Sequence, residues 1–204
     1  MPRLYRIPWS TNVERVALAL GHKGLEAEWV DVDPHDRSEV ERVSGQSLVP
    51  VLVENSRVVF DSTEILRYLE DQAPKPPLWP DDVARRAELD VFLDWFNRVW
   101  KRPPNEIEAE RAKRDPDKSR IGALGAELSS SLDVLERLLA GREYLFGGFS
   151  AADCAAFPFL KYSLIYEEAD TEEFHLILRE YLVLGDDHSR VEAWIRRMDE
   201  HPRA

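Results

Sequence analysis

Leu48-Val49-Pro50-Val51-Leu52, followed shortly by Phe60-Asp61-Ser62-Thr63-Glu64-Ile65-Leu66, is the stretch on which the reading of this chain turns. A proline inside an apolar, strand-like run cannot donate to a sheet ladder, so it marks a bulge, an edge or a strand start. A valine–proline bond is also open to the cis isomer at little cost. Asp61 and Ser62 then open an apolar helical pattern, and a helix N-terminus attracts anions. Together the two segments outline a pocket that holds an extended peptide by its backbone and catches its carboxylate. The expected ligand is a small acidic peptide.

Upstream of this stretch, strand and helix signals alternate. Residues 3–7 read as a strand. Residues 12–22 follow with Val13, Val16, Ala17 and Leu20 on one helical face, and Gly24 stands where a helix C-terminal glycine belongs. A second strand is expected over 26–32, from its apolar and polar alternation, and a shorter helix over 36–43. Downstream, strands at 51–53 and 57–60 flank a turn at Glu54-Asn55-Ser56. Ile65, Leu66 and Leu69 then give 62–72 a helical period. The order is β-α-β-α-β-β-α, with a crossover needed between the first two strands.

The run Ala73-Pro74-Lys75-Pro76-Pro77-Leu78-Trp79-Pro80 breaks every regular pattern and is the expected domain boundary, dividing a domain 1–77 from a domain 82–204. Beyond it the patterns are helical only. A helix is expected over 85–100, ended by Pro103-Pro104 and followed by a charged stretch at 108–120. Further helices are expected over 124–139, 151–166 and 190–199. Within 167–187 only 174–182 suggests a helix.

Composition narrows the function classes. The 204 residues include 44% hydrophobic and 32% charged residues, ordinary values for a globular protein. A net charge of -12 argues against general nucleic-acid binding, because phosphate contacts need clustered Lys and Arg. Cys154 is the only cysteine, so an intrachain disulfide and a CxxC redox pair are both excluded. No apolar run is long enough to span a membrane, and the N-terminus reads as a strand rather than a signal peptide. The expected location is cytoplasmic.

Several residues are placed to carry chemistry. Ser10 lies between the first strand and the first helix, where a hydroxyl and free backbone N–H groups point at whatever binds there. A thiol held against them ionises more easily. The plainer alternative is that Ser10, Thr11 or Asn12 caps the helix, and the local pattern favours the cap. Tyr5 is a second candidate hydroxyl, but a mid-strand ring is expected in the core. Ser62 reads as a helix cap, and Asp61 as an acceptor for an α-amino group. Ser150 and Asp153 form a capping box at the head of an apolar helix, a structural role. Cys154 beside them is expected to be buried and inert. Trp95 and Trp100 are core by default, but with Trp9 they are also candidates to line an apolar acceptor pocket. The five histidines share no metal-ligand spacing, so no metal is expected, and His188 is read as part of a solvated loop.

These residues, in this order, resemble the glutathione S-transferase family across essentially the whole chain. The resemblance rests on Ser10 through Val16, on Val49-Pro50, on Asp61-Ser62 and on the Ser150 and Asp153 box. It implies an α/β thioredoxin-like N-terminal domain followed by an all-α helical-bundle C-terminal domain. Ser10 matches the activating residue of the theta-, zeta- and omega-like classes. Val49 would bond the cysteinyl backbone of glutathione beside a cis Pro50, and Asp61 and Ser62 would hold its γ-glutamyl end. The implied co-substrate is glutathione, without a metal. The implied partner is a small electrophilic molecule bound between the domains, and the implied assembly is a homodimer. Gly45-Gln46-Ser47-Leu48 departs from the usual glycine–lysine or glycine–glutamine before Val-Pro, which leaves the glycyl end without an assigned contact.

The leading expectation is a glutathione transferase, with isomerase and dehalogenase variants of the same thiolate chemistry. The alternative is a non-catalytic binding or dimerisation module that keeps the fold, since fold does not fix function. Glutathione-dependent disulfide reduction ranks lower, because a serine at position 10 cannot form a mixed disulfide.

Overall fold

In the computed structural model, which describes residues 1–204, the chain divides into two compact units, Met1–Arg86 with His201–Ala204 and Ala87–Glu200. The first runs β1 (Arg3–Arg6), α1 (Thr11–Lys23), β2 (Glu28–Asp31), α2 (Ser38–Ser44), β3 (Val51–Glu54), β4 (Arg57–Phe60) and α3 (Ser62–Gln72). This is the expected β-α-β-α-β-β-α order. The sheet order is β2-β1-β3-β4. Strand β1 runs parallel to β2 and antiparallel to β3, and β3 pairs antiparallel with β4. A parallel pair needs a crossover, which α1 supplies. The β3–β4 hairpin turns through Asn55 and Ser56, whose φ angles of 52° and 84° suit the mirror-image turn that matches strand twist.

Side-chain alternation builds a core on both faces of the sheet. Tyr5 and Val51 join Ile7, Val13, Val32, Val40 and Val49 in one buried cluster. Their strand neighbours Leu4 and Leu52 are buried completely, as are Val16, Leu20 and Ile65 of the α1–α3 pair. Each such aliphatic side chain contributes about 1.5–3 kcal/mol relative to exposure.

The proline-rich run is tied down by a buried cation. Lys23 Nζ bonds Glu70 at 2.7 Å and the carbonyls of Ala73 and Pro76 at 2.6 and 3.0 Å. Glu70 in turn accepts from the N–H groups of Leu78 and Trp79. A charge is tolerated at such a depth because every donor has a partner.

Helix α4 (Val83–Trp95) starts in the first unit and continues into the second. A π-helical turn at Phe96–Trp100 follows, then α5 (Arg102–Arg111), α6 (Lys118–Leu138), α7 (Ala151–Leu160), α8 (Glu173–Tyr181) and α9 (Ser189–Asp199). Every residue of α7 is buried, as befits a helix that is apolar all round.

Several expectations require correction. Pro103 and Pro104 do not end a helix but open α5, where a missing N–H costs nothing because first-turn donors have no intrahelical partner. The helix expected over 85–100 gives up its last turn to the π-helical segment. The charged stretch 108–120 contains the end of α5 and the start of α6. The first residues of α6 are largely exposed, so they carry no apolar period to read. Residues 161–163 form a separate 3₁₀ turn after α7.

Candidate functional site

The turn from β1 into α1 closes with Ser10 N–H donating to the Ile7 carbonyl at 3.0 Å. Ser10 occupies the N-cap position with extended backbone, φ −67° and ψ 122°, and its carbonyl accepts from the N–H groups of Val13 and Glu14. Its side chain makes no capping bond. The hydroxyl, half-buried, is therefore not spent on its own helix, contrary to the plainer reading of the sequence. The third helical position is Val13, so no side chain returns to the Ser10 N–H as in a capping box, and that N–H bonds Ile7 instead. Tyr5, the other candidate hydroxyl, is 2% exposed within the sheet cluster.

The start of α3 is built differently. Asp61, not Ser62, is its N-cap, and Asp61 Oδ1 accepts from the N–H groups of Thr63 and Glu64 at 2.8 and 3.4 Å. With those donors satisfied, the Ser62 N–H stands beside its own hydroxyl at the head of the helix. Ser62 Oγ accepts from Arg15 Nη1 at 3.2 Å, which leaves its hydrogen for another acceptor. Asp61 also has φ 68°, a left-handed conformation that non-glycine residues adopt at a cost of about 1–3 kcal/mol. Such strain persists where the surroundings hold a residue to a purpose.

Arg15 is the residue that sequence reasoning missed. It is 1% exposed and ties the helix that follows Ser10 to the hydroxyl of Ser62, across 47 positions of sequence. A charged residue amid the apolar run of α1 was the available signal. Val49 is brought to the same region by its place in one cluster with Val13. The Val49–Pro50 peptide bond is cis, and sheet pairing starts only at Val51. The backbone of Val49 thus stands outside the ladder.

The loop before Val49 is organised by its own side chains. Gln46 holds both the N–H and the carbonyl of Leu48, at 2.6 and 3.0 Å. The Arg37 guanidinium bonds the Ser47 carbonyl at 3.3 Å. That places a cation beside the segment that was left without an assigned contact.

The remaining candidates are dispersed. Trp9 is 49% exposed. In the helical unit, Trp95 is half-buried against Phe92, with centroids 5.6 Å apart. Trp100 stacks on Phe96 at 4.4 Å, and its indole N–H donates to Ser131 Oγ. At 3% exposure Trp100 is a core residue. Asp153 accepts from Leu145 N–H, Ser150 N–H, Ser150 Oγ–H and Trp194 Nε1–H. Burial nevertheless pushes its carboxyl up to about 6. His188 is not a solvated loop residue: its ring bridges Gly185 N–H and Asp133. No group of three or more His, Cys, Asp or Glu side chains is placed to hold a metal, and no helix is long and apolar enough to cross a membrane.

Models of two domain families match the chain. One is described as glutathione S-transferase, N-terminal domain, over residues 4–77. The other is glutathione S-transferase, C-terminal domain, over 84–197. Glutathione S-transferase 3 of Zea mays is 31% identical over 163 residues, which cover 74% of this chain and 73% of that protein. Glutathione S-transferase Z2 of Arabidopsis thaliana is 36% identical over 89 residues, 42% of this chain and 40% of that protein. Among solved structures, rice GST1 in complex with glutathione is similar with a TM-score of 0.78 and 26% identity, covering 98% of this chain and 86% of that one.

Proposed function

This chain belongs to the glutathione S-transferase family, and from that premise we propose that it binds glutathione in its first unit and activates the thiol for attack on a small electrophile. The observation that carries the proposal is the Ser10 hydroxyl, which stands at the N-terminus of α1 without capping it.

The γ-glutamyl carboxylate is taken by the Ser62 N–H and hydroxyl. The α-ammonium group is taken by the oxygen of Asp61 not engaged with Thr63 and Glu64. The cysteinyl backbone pairs with Val49, whose amide and carbonyl lie outside the sheet ladder. Arg37, beside Ser47, supplies the cation for the glycyl carboxylate. With the tripeptide so held, its sulfur lies at Ser10. The hydroxyl donates to the thiolate, and the α1 dipole favours the anion over the thiol, so the proton passes to solvent. The sulfur lone pair then forms the new bond to carbon as the electrophile's leaving group departs with its electron pair. Holding both reactants supplies proximity, and the serine supplies charge stabilisation. Trp9, exposed next to Ser10, offers an apolar contact for the acceptor. A cytoplasmic homodimer is part of the same reading.

Calorimetric titration with glutathione tests it, using the wild type and Ser62→Ala. The wild type binds, and Ser62→Ala weakens binding by about tenfold, the worth of one hydrogen bond to a charged group. No heat of binding from the wild type overturns the transferase reading and leaves a non-catalytic module.

A further inference from the structure

Glu14, Ala17 and Gly21 follow one another along a single face of α1 at helical spacing, and the returning segment His201–Ala204 lies along that face. Arg203 Nε bonds Glu14 Oε1 at 3.1 Å, and the two side chains are only 30% and 15% exposed. The Ala204 N–H donates to the Ala17 carbonyl at 3.2 Å. The Pro202 carbonyl rests on Gly21, where a Cβ would overlap it, so only glycine admits the segment there. Three separate contacts thus hold residues 201–204 against the helix.

Continued one turn toward the N-terminus, this face reaches Ser10, whose carbonyl accepts the Glu14 N–H at 3.0 Å. Glu14 thus lies one turn from Ser10, near enough for its charge to act on a group held there. A bare carboxylate at Glu14 would oppose a thiolate at Ser10, because like charges disfavour ionisation. A partly buried guanidinium against it cancels most of that effect, and salt screens such a pair little. Among the other charged groups around α1, Arg15 bonds Ser62, Lys23 bonds Glu70, and Glu64 of α3 pairs with Arg67. His201 lies on the segment itself, and His22 sits near it at the far end of α1.

We propose that His201–Ala204 is a strap on the thiol-activating helix, and that Arg203 is a positioning residue which neutralises Glu14 and keeps the N-terminus of α1 favourable to a thiolate at Ser10. The proposal rests on the transferase reading only for the identity of the thiol, so its test does not require glutathione.

Ser10→Cys places a titratable thiol at the site, and the other cysteine, Cys154, is fully buried. The pH dependence of iodoacetamide alkylation then reports the ionisation of the introduced thiol. Adding Arg203→Ala raises its apparent pKa by about 0.5–1 unit. Adding Glu14→Gln as well brings it back, and Arg203→Lys in place of Arg203→Ala preserves most of the original value. An unchanged pKa with Arg203→Ala, or a rise that Glu14→Gln fails to reverse, overturns the proposal, because Arg203 then acts only as packing. A chain that shows the shift but binds no glutathione loses the transferase reading and keeps the strap. Glutathione binding without the shift does the reverse.

Discussion

Two helices in this chain have a serine at the N-cap, and the structure treats them in opposite ways. At α7, Ser150 and Asp153 close on each other, and Leu145 and Trp194 add their N–H groups to the same buried carboxylate. At α1, Ser10 has Val13 where α7 has its acid, and its hydroxyl makes no capping bond. One start is finished internally; the other is left open at a surface turn. A helix N-terminus without an anion from its own chain keeps donors that an anionic ligand can take. The start of α3 stands between these cases, since Asp61 satisfies two donors and leaves those of Ser62.

The comparison breaks most readily at Asp153. Asp153→Ala strands several buried donors, and unfolding by urea, followed by tryptophan fluorescence, should show a loss of about 3–5 kcal/mol. A loss below about 1 kcal/mol would make the two serine starts alike. The same carboxyl sets a pH dependence. Burial raises it from 3.8 to about 6 in the folded state, so the folded chain holds this proton more tightly than the unfolded one. Its stabilising contribution is full below about pH 3.8 and declines as pH rises toward 6. Denaturation curves for wild type minus Asp153→Asn isolate that decline, and parallel curves would refute it.

At Ser10 the proposed function puts the large effect on chemistry. Ser10→Ala should lower kcat/KM toward a chloronitroaromatic acceptor by roughly 100-fold, the scale for one preorganised donor to a developing anion. On the proposed mode of binding, glutathione affinity should stay within about twofold, because the contacts to the tripeptide lie elsewhere. Equal activity in the variant would remove Ser10 from the role.

The fold was largely legible because its signals are local. The period of α3, the alternation in the strands and the turn residues of the hairpin each lie within a few positions. What escaped depended on partners far along the chain. Arg15 reads as one charge in an apolar helix until Ser62, 47 residues away, supplies its acceptor. Arg203 lies beyond the last expected helix and carries no signal of its own until Glu14, far back along the chain, meets it. Pro103-Pro104 was read as a stop because proline suits either end of a helix, and only the backbone shows which. The cap of α3 falls on Asp61 rather than Ser62 for a related reason. Aspartate and serine cap about equally well, and the adjacent pair offered two frames one residue apart. The positions of the helix starts were therefore legible, while the partner of each side chain was not.

The smallest expected difference is the one that tests the comparison most directly. Ser150→Ala removes a buried hydroxyl that bonds Asp153 Oδ2 at 2.8 Å, and loss of such a cap costs about 0.5–2 kcal/mol. Ser10→Ala removes a hydroxyl at the equivalent helix position that bonds nothing in its helix, so its cost should stay within about 0.5 kcal/mol. The two variants delete the same atom from the same kind of N-terminus. Parallel thermal and urea unfolding of the pair therefore compares a finished cap with an open one and cancels the intrinsic preference of serine over alanine. If Ser10→Ala proves as costly as Ser150→Ala, the Ser10 hydroxyl caps α1 in solution. The loss of activity in that variant would then follow from a loosened helix rather than a missing donor.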